Sequence, residues 1–579
     1  MFLYDIYIKY MKKLIVLFVI VATFCSCAMD EIPLETMPQE IAFRDSNRVE
    51  MFVNELYPYL NAGVSYNRIG GGGTGGSMAD CMSDIAVYTP VGMQPELNKF
   101  ILGTLTGASG GNTDARWAEC YMVIRKANVF LNNVDYATTT SEAKRKRLIA
   151  EAKLHKALAH FELFKRYGGI PIMDNVLDMS GDINIPRGTV EECVNYMVRL
   201  CDEAADALPT RYPDNDYGRF TKGAALGVKA KILLYAASPL YNEKPVPEAT
   251  EINRYALPDR DRWRLAVEAA LAVMNLTNAD GTPAHELFPS YQRTFFTRIG
   301  NTESIIMKQQ AMTNNVEKAN APSGYQGARG NTNATLELIN MYELKSGLKS
   351  EDDPDYNPQK PYEGRDDRFK QSIIYNGMTL WEREVEFFVG GADYPATSGV
   401  KGCVTGFTMF KHIDPQSRIV SPEKTTFHDW PVLRYAEILL IYAESMNEFL
   451  GMDDGDIVSD EKIYECVNAT RARGGLDPVS NLTKAEMREL IHRERTIELA
   501  FEDQRCHDLK RWREAEVVLN QPVHGVQIIK DGANIIYNYE VNGEPYEVER
   551  RIFPMKFYFY PIPQNELDKN TALVKNPGW

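Results

Sequence analysis

Residues 492–512 read HRERTIELAFEDQRCHDLKRW, and the fold turns on whether this run is a reaction centre or a piece of scaffold. Arg493, Glu494, Arg495, Glu498, Glu502, Arg505 and Asp508 crowd one short segment, the density of charge an active site would show. Ile497, Phe501 and Leu509, however, recur at helical spacing and mark a face for the core. The charges fall where i,i+4 partners meet on a helix surface. That pattern predicts one ion-paired helix from Lys484 to Val518 with no chemistry of its own.

The same period of about 3.6 dominates the rest of the chain, and strand-like alternation is scarce. It predicts further helices over 114–133, 142–167, 190–208, 222–237, 262–275, 433–449 and 460–473. Gly168-Gly169 with Pro171, Pro209, and Gly474-Gly475 with Pro478 supply stop signals. The fold class is therefore mostly α. The helices come as neighbouring pairs, and Ala157-x-x-x-Phe161 followed by Pro171 matches part of the tetratricopeptide (TPR) pattern. There the small Ala admits a partner helix and the Phe fills the gap between them. No fixed period repeats, so the expectation is of irregular TPR-like pairs carrying a lobe rich in long loops. Those loops are 61–113, 279–331 and 350–430, rich in Gly, Asn, Pro and Tyr. Loops of that length in a compact body tend to carry function, so binding is sought there. The body divides into a TPR-like half, 27–278, and a loop-rich and C-terminal helical half, 279–579.

At the start of the chain Lys12 and Lys13 precede an apolar run from Leu14 to Phe24, too short to span a bilayer and suited to a signal peptide over residues 1–26. Residues 1–10 contain Asp5 and fit that pattern poorly, which points to Met11 as the true start. The run ends in Phe24-Cys25-Ser26-Cys27 and then Ala28-Met29-Asp30-Glu31. This resembles a bacterial lipoprotein box with Cys27 as the lipidated first residue, and Cys25 leaves Thr23 and Phe24 where a small residue is wanted. Acyl chains at about 0.8 kcal/mol per buried CH₂ hold such a protein on a membrane without a spanning helix. The formal net charge is -15. Removing Asp5, Lys9, Lys12 and Lys13 with the signal leaves 61 basic against 78 acidic side chains, or -17, a surface that repels nucleic acid. Seven further cysteines, Cys81, Cys120, Cys193, Cys201, Cys403, Cys466 and Cys506, lack C-x-x-C spacing and read as core thiols. Cys193 and Cys201 share a helix about 12 Å apart, beyond disulfide reach.

Several motifs hint at chemistry. The run Gly71 to Gly76 satisfies G-x-G-x-x-G with neither a strand before it nor a helix after it, and reads as a loop. Gly107-Ala108-Ser109-Gly110-Gly111 satisfies G-x-S-x-G, and 100–105 reads as a possible strand before it. A nucleophile elbow starts its helix at the serine, whereas Gly110, Gly111 and Asn112 intervene here. A surface hydrolase using Ser109 is the enzymatic alternative. His155 and His160 diverge by about 140° on one helix, so H-E-x-x-H metal geometry fails. Asp352-Asp353-Pro354-Asp355 and Asp214-Asn215-Asp216 read as solvated turns rather than calcium loops, and a glycosidase pair among so many carboxylates is left open.

Taken together, six stretches and the chain's ending resemble the SusD/RagB family of Bacteroidetes outer-membrane lipoproteins. They are 117–128, from Trp117 to Asn128; Ala150-Glu-Ala-Lys153 running on to Phe164-Lys-Arg-Tyr-Gly-Gly-Ile-Pro171; Arg219-Phe-Thr-Lys-Gly-Ala224; 433–444, from Leu433 to Glu444; Arg471-Ala-Arg-Gly-Gly-Leu476; and Glu498-Leu-Ala-Phe-Glu502 with Asp508-Leu-Lys-Arg-Trp512. The ending runs from Pro561-Ile-Pro-Gln-Asn-Glu566 to Asn576-Pro-Gly-Trp579. The resemblance implies TPR-like helix pairs with a loop-rich lobe and a lipid-anchored place on the outer face of the outer membrane. It implies capture of oligosaccharide, or in some members peptide, for a SusC-like TonB-dependent transporter that the protein caps as a lid. No turnover, metal or organic cofactor is implied. The family's ligand sites use aromatic side chains on loops, which here offer Tyr66, Tyr88, Tyr325 and Trp381, with Asn331 as a hydrogen-bonding partner. Residues 61–113 hold no Trp, a departure from a broad indole platform. A TPR scaffold that binds only proteins is the remaining alternative.

Overall fold

The computed structural model describes residues 43–61, 78–89, 94–109, 114–177, 183–395 and 402–579. The lipidation candidate Cys27, the signal segment, the glycine run at 71–76 and Tyr66 lie outside these residues. The protein is mostly α. Its main helices are α1 (Trp117–Asn133), α2 (Glu142–Tyr167), α3 (Val190–Ala205), α4 (Lys222–Ala237), α5 (Asp261–Met274), α6 (Tyr435–Phe449), α7 (Glu461–Arg473), α8 (Lys484–Glu498) and α9 (Arg505–Trp512). From α1 to α7 each packs on the next, and α8 returns against α6. This is the irregular TPR-like succession that the apolar spacing predicts.

Local chemistry sets the helix ends. Thr189 and Thr483 form capping boxes with Glu192 and Glu486, and Ser141 and Thr221 cap α2 and α4 with their hydroxyls. Gly168 stops α2 at a φ of 76°, in the left-handed region that a side chain resists. Ala157 is fully buried, and Phe161 meets Tyr235 of α4 edge-on at 5.1 Å, as the TPR-like reading of α2 requires.

The expected single helix from Lys484 to Val518 is broken. Helix α8 ends at Glu498, Phe501 and Asp503 take φ values of 61° and 60°, and the chain restarts as α9. Ile497, Phe501 and Leu509 are buried as expected. The charges are not a solvated i,i+4 face, because most of them are buried too and pair across the fold. Arg434 donates to Glu498 and Glu303 at 2.7 Å each and to Glu502 at 2.8 Å, while Arg368 bridges Asp366, Glu494 and Glu498 at 2.6–3.0 Å. The break leaves the Glu498 carbonyl open to Lys411 Nζ at 2.7 Å, a bond that an unbroken helix would consume internally. Burial alone would raise the Glu498 carboxyl, yet Arg473, Arg434 and Arg368 hold it at about 2.

The long stretches are not wholly irregular. They and the residues just beyond them contribute strands β1 (Ala86–Tyr88), β2 (Ser304–Lys308), β3 (Thr332–Ala334), β4 (Ile373–Tyr375), β5 (Phe407–Met409) and β6 (Trp430–Arg434). Four make an antiparallel sheet in the order β1-β3-β5-β4, with Tyr88 opposite Thr332 and Ile374 opposite Thr408. Strands β2 and β6 pair separately and lead into α6. Strands β1, β3 and β5 are buried at every position, so they carry no alternation for a sequence reading to detect. The segment 100–105 is not a strand, since Phe100 and Ile101 close the helix Pro95–Ile101.

Candidate functional site

The loop-rich lobe is built around the Arg383–Asp393 pair. Asp393 is fully buried and accepts from both arms of Arg383 at 2.7 and 2.8 Å, from Gly324 N at 3.0 Å and from Glu386 N at 2.9 Å. One carboxylate thus ties three turns of the lobe together. Gly324 permits the approach, because a Cβ there would lie 2.4 Å from the Ala392 carbonyl oxygen.

Tyr325 and Trp381 meet beside that pair. The Tyr325 hydroxyl donates to the Leu380 carbonyl at 2.7 Å, and the Arg383 guanidinium lies 3.9 Å over its ring. Trp381 packs edge-on to Tyr325 at 5.1 Å and 86°. It is the first residue of the two-residue turn joining Thr379–Leu380 to Arg383–Glu384, and its φ of 54° lies where glycine is usually found. Glu382, the other turn residue, is paired to Arg418. The indole is half-buried, held by tertiary contacts in a strained turn rather than swinging from a loose loop.

Tyr88 and Asn331 lie on neighbouring strands without facing each other: Tyr88 is opposite Thr332, and the Asn331 carbonyl accepts from Thr89 N at 2.9 Å. Tyr88 is 7% and Asn331 1% exposed, and Gln94 donates to the Tyr88 hydroxyl at 3.1 Å. Burial raises the Tyr88 phenol and pushes Tyr325 up to about 12, so both stay protonated. The stretch 321–330, closed by Gly330 N donating to the Ala321 carbonyl at 2.9 Å, connects Tyr325 to Asn331. The structure therefore brings Trp381 together with Tyr325, whereas Tyr88 and Asn331 do not face each other. Of the four, Trp381 has the most surface left to offer, the other three being buried. Sequence reading missed Arg383, Asp393 and Gln94, which hold these residues in place; nine residues lie between Arg383 and Asp393, a spacing without periodic signal.

The other motifs resolve into structure. Ser109 ends a single helical turn, Gly107–Ser109, and α1 starts only at Trp117. His155 packs between Tyr57 and Phe220 at 4.5 and 4.4 Å, and His160 bonds the Lys156 carbonyl at 2.7 Å, so the two imidazoles serve separate parts of the core. The seven cysteines are free and buried. Among the described residues no helix is long and apolar enough to cross a membrane.

A family model for the SusD family matches residues 296–579, and a second, described as starch-binding associating with outer membrane, matches 97–234. The chain belongs to the SusD family. SusD-like protein P2 of Formosa agariphila is 22% identical over 98% of this chain and 100% of its own. A solved SusD-like carbohydrate binding protein of Bacteroides fragilis is 27% identical, covers 92% of this chain and 99% of its own, and superposes with a TM-score of 0.74. A laminarin binding SusD-like protein shares the fold at 19% identity and a TM-score of 0.58, over 93% of this chain and 100% of its own. The family is one of carbohydrate-binding proteins associated with the outer membrane. The span matched by the first model takes in the loop-rich lobe with Tyr325 and Trp381, and that matched by the second lies mostly in helices α1 to α4.

Proposed function

We propose that this protein is a non-catalytic, lipid-anchored cell-surface receptor that binds oligosaccharide and delivers it, as a lid, to a SusC-like TonB-dependent transporter in the outer membrane. The observation that carries the ligand side is Trp381. A bulky aromatic at a left-handed turn position costs of order 1–3 kcal/mol, and such strain persists where the surrounding structure over-determines it, often at ligand sites. An indole face offers a sugar ring a flat apolar surface, and the neighbouring turn supplies charge in Arg383 and Glu382. The starch-binding description of the family and the carbohydrate- and laminarin-binding neighbours support a glycan over a peptide as the ligand. Tyr88, Tyr325 and Asn331 serve in this reading as buried backing residues of the lobe, and Tyr66, outside the described residues, is a further candidate contact.

A protein tethered by lipid at Cys27 cannot itself move a ligand across the membrane, which is why a channel belongs to the proposal. In it the two halves, 27–278 and 279–579, provide the helical scaffold and the ligand-facing lobe. The test is purification of the tagged protein from mildly solubilised outer membranes. Co-purification of a β-barrel partner, and loss of membrane retention in Cys27→Ser, are expected; recovery without a barrel, with and without glycan, would remove the lid role.

A further inference from the structure

A second cleft, sharing no lining residue with the Trp381–Tyr325 contact, lies between the end of the helix Ser46–Asn54, the turn at 214–219 and the chain leaving β2 at 309–311. Its volume of about 560 Å³ falls in the range of ligand sites and exceeds the 430 and 360 Å³ of two other clefts on the molecule. Its walls are rigid. The Gln310 backbone is pinned on both sides, its N–H donating to Asp429 at 2.9 Å and its carbonyl accepting from Arg298 at 2.6 Å. Arg298 and Asp429 themselves form a two-armed pair, and Arg298 lies 3.5 Å over the Phe427 ring.

The floor is specific as well. Gly218 has a φ of 88°, and a Cβ there would lie 2.1 Å from the Gln309 side-chain nitrogen, which donates to the Tyr217 carbonyl. Any side chain at 218 would displace Gln309 from the cleft. Arg219, the cation at one edge, is neutralised by Glu50, Glu151 and Asp216 at 2.7–3.1 Å, which leaves little to attract an anion. Besides Lys308 and the paired Arg219 and Asp216, the cleft presents a set of planar amides: Asn54, Asn215, Gln309 and Gln310. Asn54, Asn215 and Gln309 are exposed, and Gln310 Nε2 is withdrawn from water with no acceptor among the described residues. An amide donates from one end and accepts at the other, which matches adjacent hydroxyls on a neutral sugar, and an unmatched buried amide N–H gains a partner by turning toward such a ligand.

We infer that this cleft is a second, neutral-oligosaccharide subsite, read by amide side chains, that engages a chain already held at the loop-rich lobe or a separate segment of the same polysaccharide. This rests on the glycan reading of the Trp381 site but uses none of its residues. The test uses an array of neutral algal, plant and bacterial polysaccharides, with their oligosaccharide ladders, on the lipid-free protein. It is followed by hydrogen–deuterium exchange with whichever glycan binds. Asn54→Ala/Asn215→Ala changes two exposed side chains, so its fold is expected intact by circular dichroism. It should weaken polysaccharide binding about tenfold while leaving the shortest bound oligosaccharide unaffected, because only longer ligands gain from a second contact. Glycan-dependent protection at 214–219 and 307–311 is expected beside protection at 379–384. Wild-type affinity in the double variant, no protection at 214–219 and 307–311, or protection there by peptides instead, would overturn the subsite and leave the Trp381 site standing. An array with no bound glycan would overturn both.

Discussion

Trp381 shows how a residue identity can be legible while its role is not. Its position in a long loop marks it from the sequence, but the positive φ and the edge-on contact with Tyr325 depend on a turn that closes only in three dimensions. The charges of α8 and α9 teach the same lesson more sharply. Their density is visible in the sequence, whereas their partners are not, since Arg434 lies 64 residues from Glu498 and 68 from Glu502. A buried charge left without its partner is costly, so Glu498→Gln, which strips compensation from Arg434, Arg473 and Arg368, is expected to lower unfolding stability by about 3–5 kcal/mol. Equilibrium urea denaturation checks this; a loss under about 1 kcal/mol would show that these cations are solvated after all.

At the scale of elements, helix existence followed from period and caps, and most boundaries fall within a few residues of those expected. The exceptions have a common cause. A strand of three residues buried on both faces looks like any short apolar run, and a helix break whose freed groups are bonded by distant cations leaves no trace in the apolar spacing of 484–518. Caps are local and modest, so Thr483→Ala should cost only about 1 kcal/mol. The C-terminal strap is different. Asn576, 2% exposed, accepts from Arg187 at 2.8 Å and Asn253 at 2.9 Å and donates to the Tyr560 carbonyl at 2.8 Å. Trp579 beyond it stacks on Phe557 and donates to the Phe559 carbonyl. Asn576→Ala strands these buried groups and should cost about 2–4 kcal/mol, read as a drop in melting temperature well beyond that of Thr483→Ala.

The molecule as a whole carries a pH dependence that follows from its buried histidines. Burial depresses His155, His412 and His507 from 6.5 to about 3, and His160 and His285 to about 4. Below pH 6.5 the unfolded chain binds protons at these sites and the folded chain does not, so stability falls as pH drops from 6.5 toward 4, each site contributing up to about 1.4 kcal/mol per pH unit. Glu498 and Glu444, both held at about 2 in the fold, add a loss that begins only below their ordinary value of 4.5. Urea midpoints should therefore change little around pH 7 and decline steadily between pH 6.5 and 4.5; a flat profile across that lower window would mean that the imidazoles reach water. None of this concerns ligand, for which the proposal is carbohydrate held at Trp381. The most direct measurement of the account is calorimetric titration of wild type and Trp381→Ala, both checked for native circular dichroism, with the polysaccharide that an array selects. Wild type is expected to bind without releasing reducing sugar and Trp381→Ala to lose at least tenfold in affinity; equal affinity in the two proteins would contradict a ligand site at Trp381.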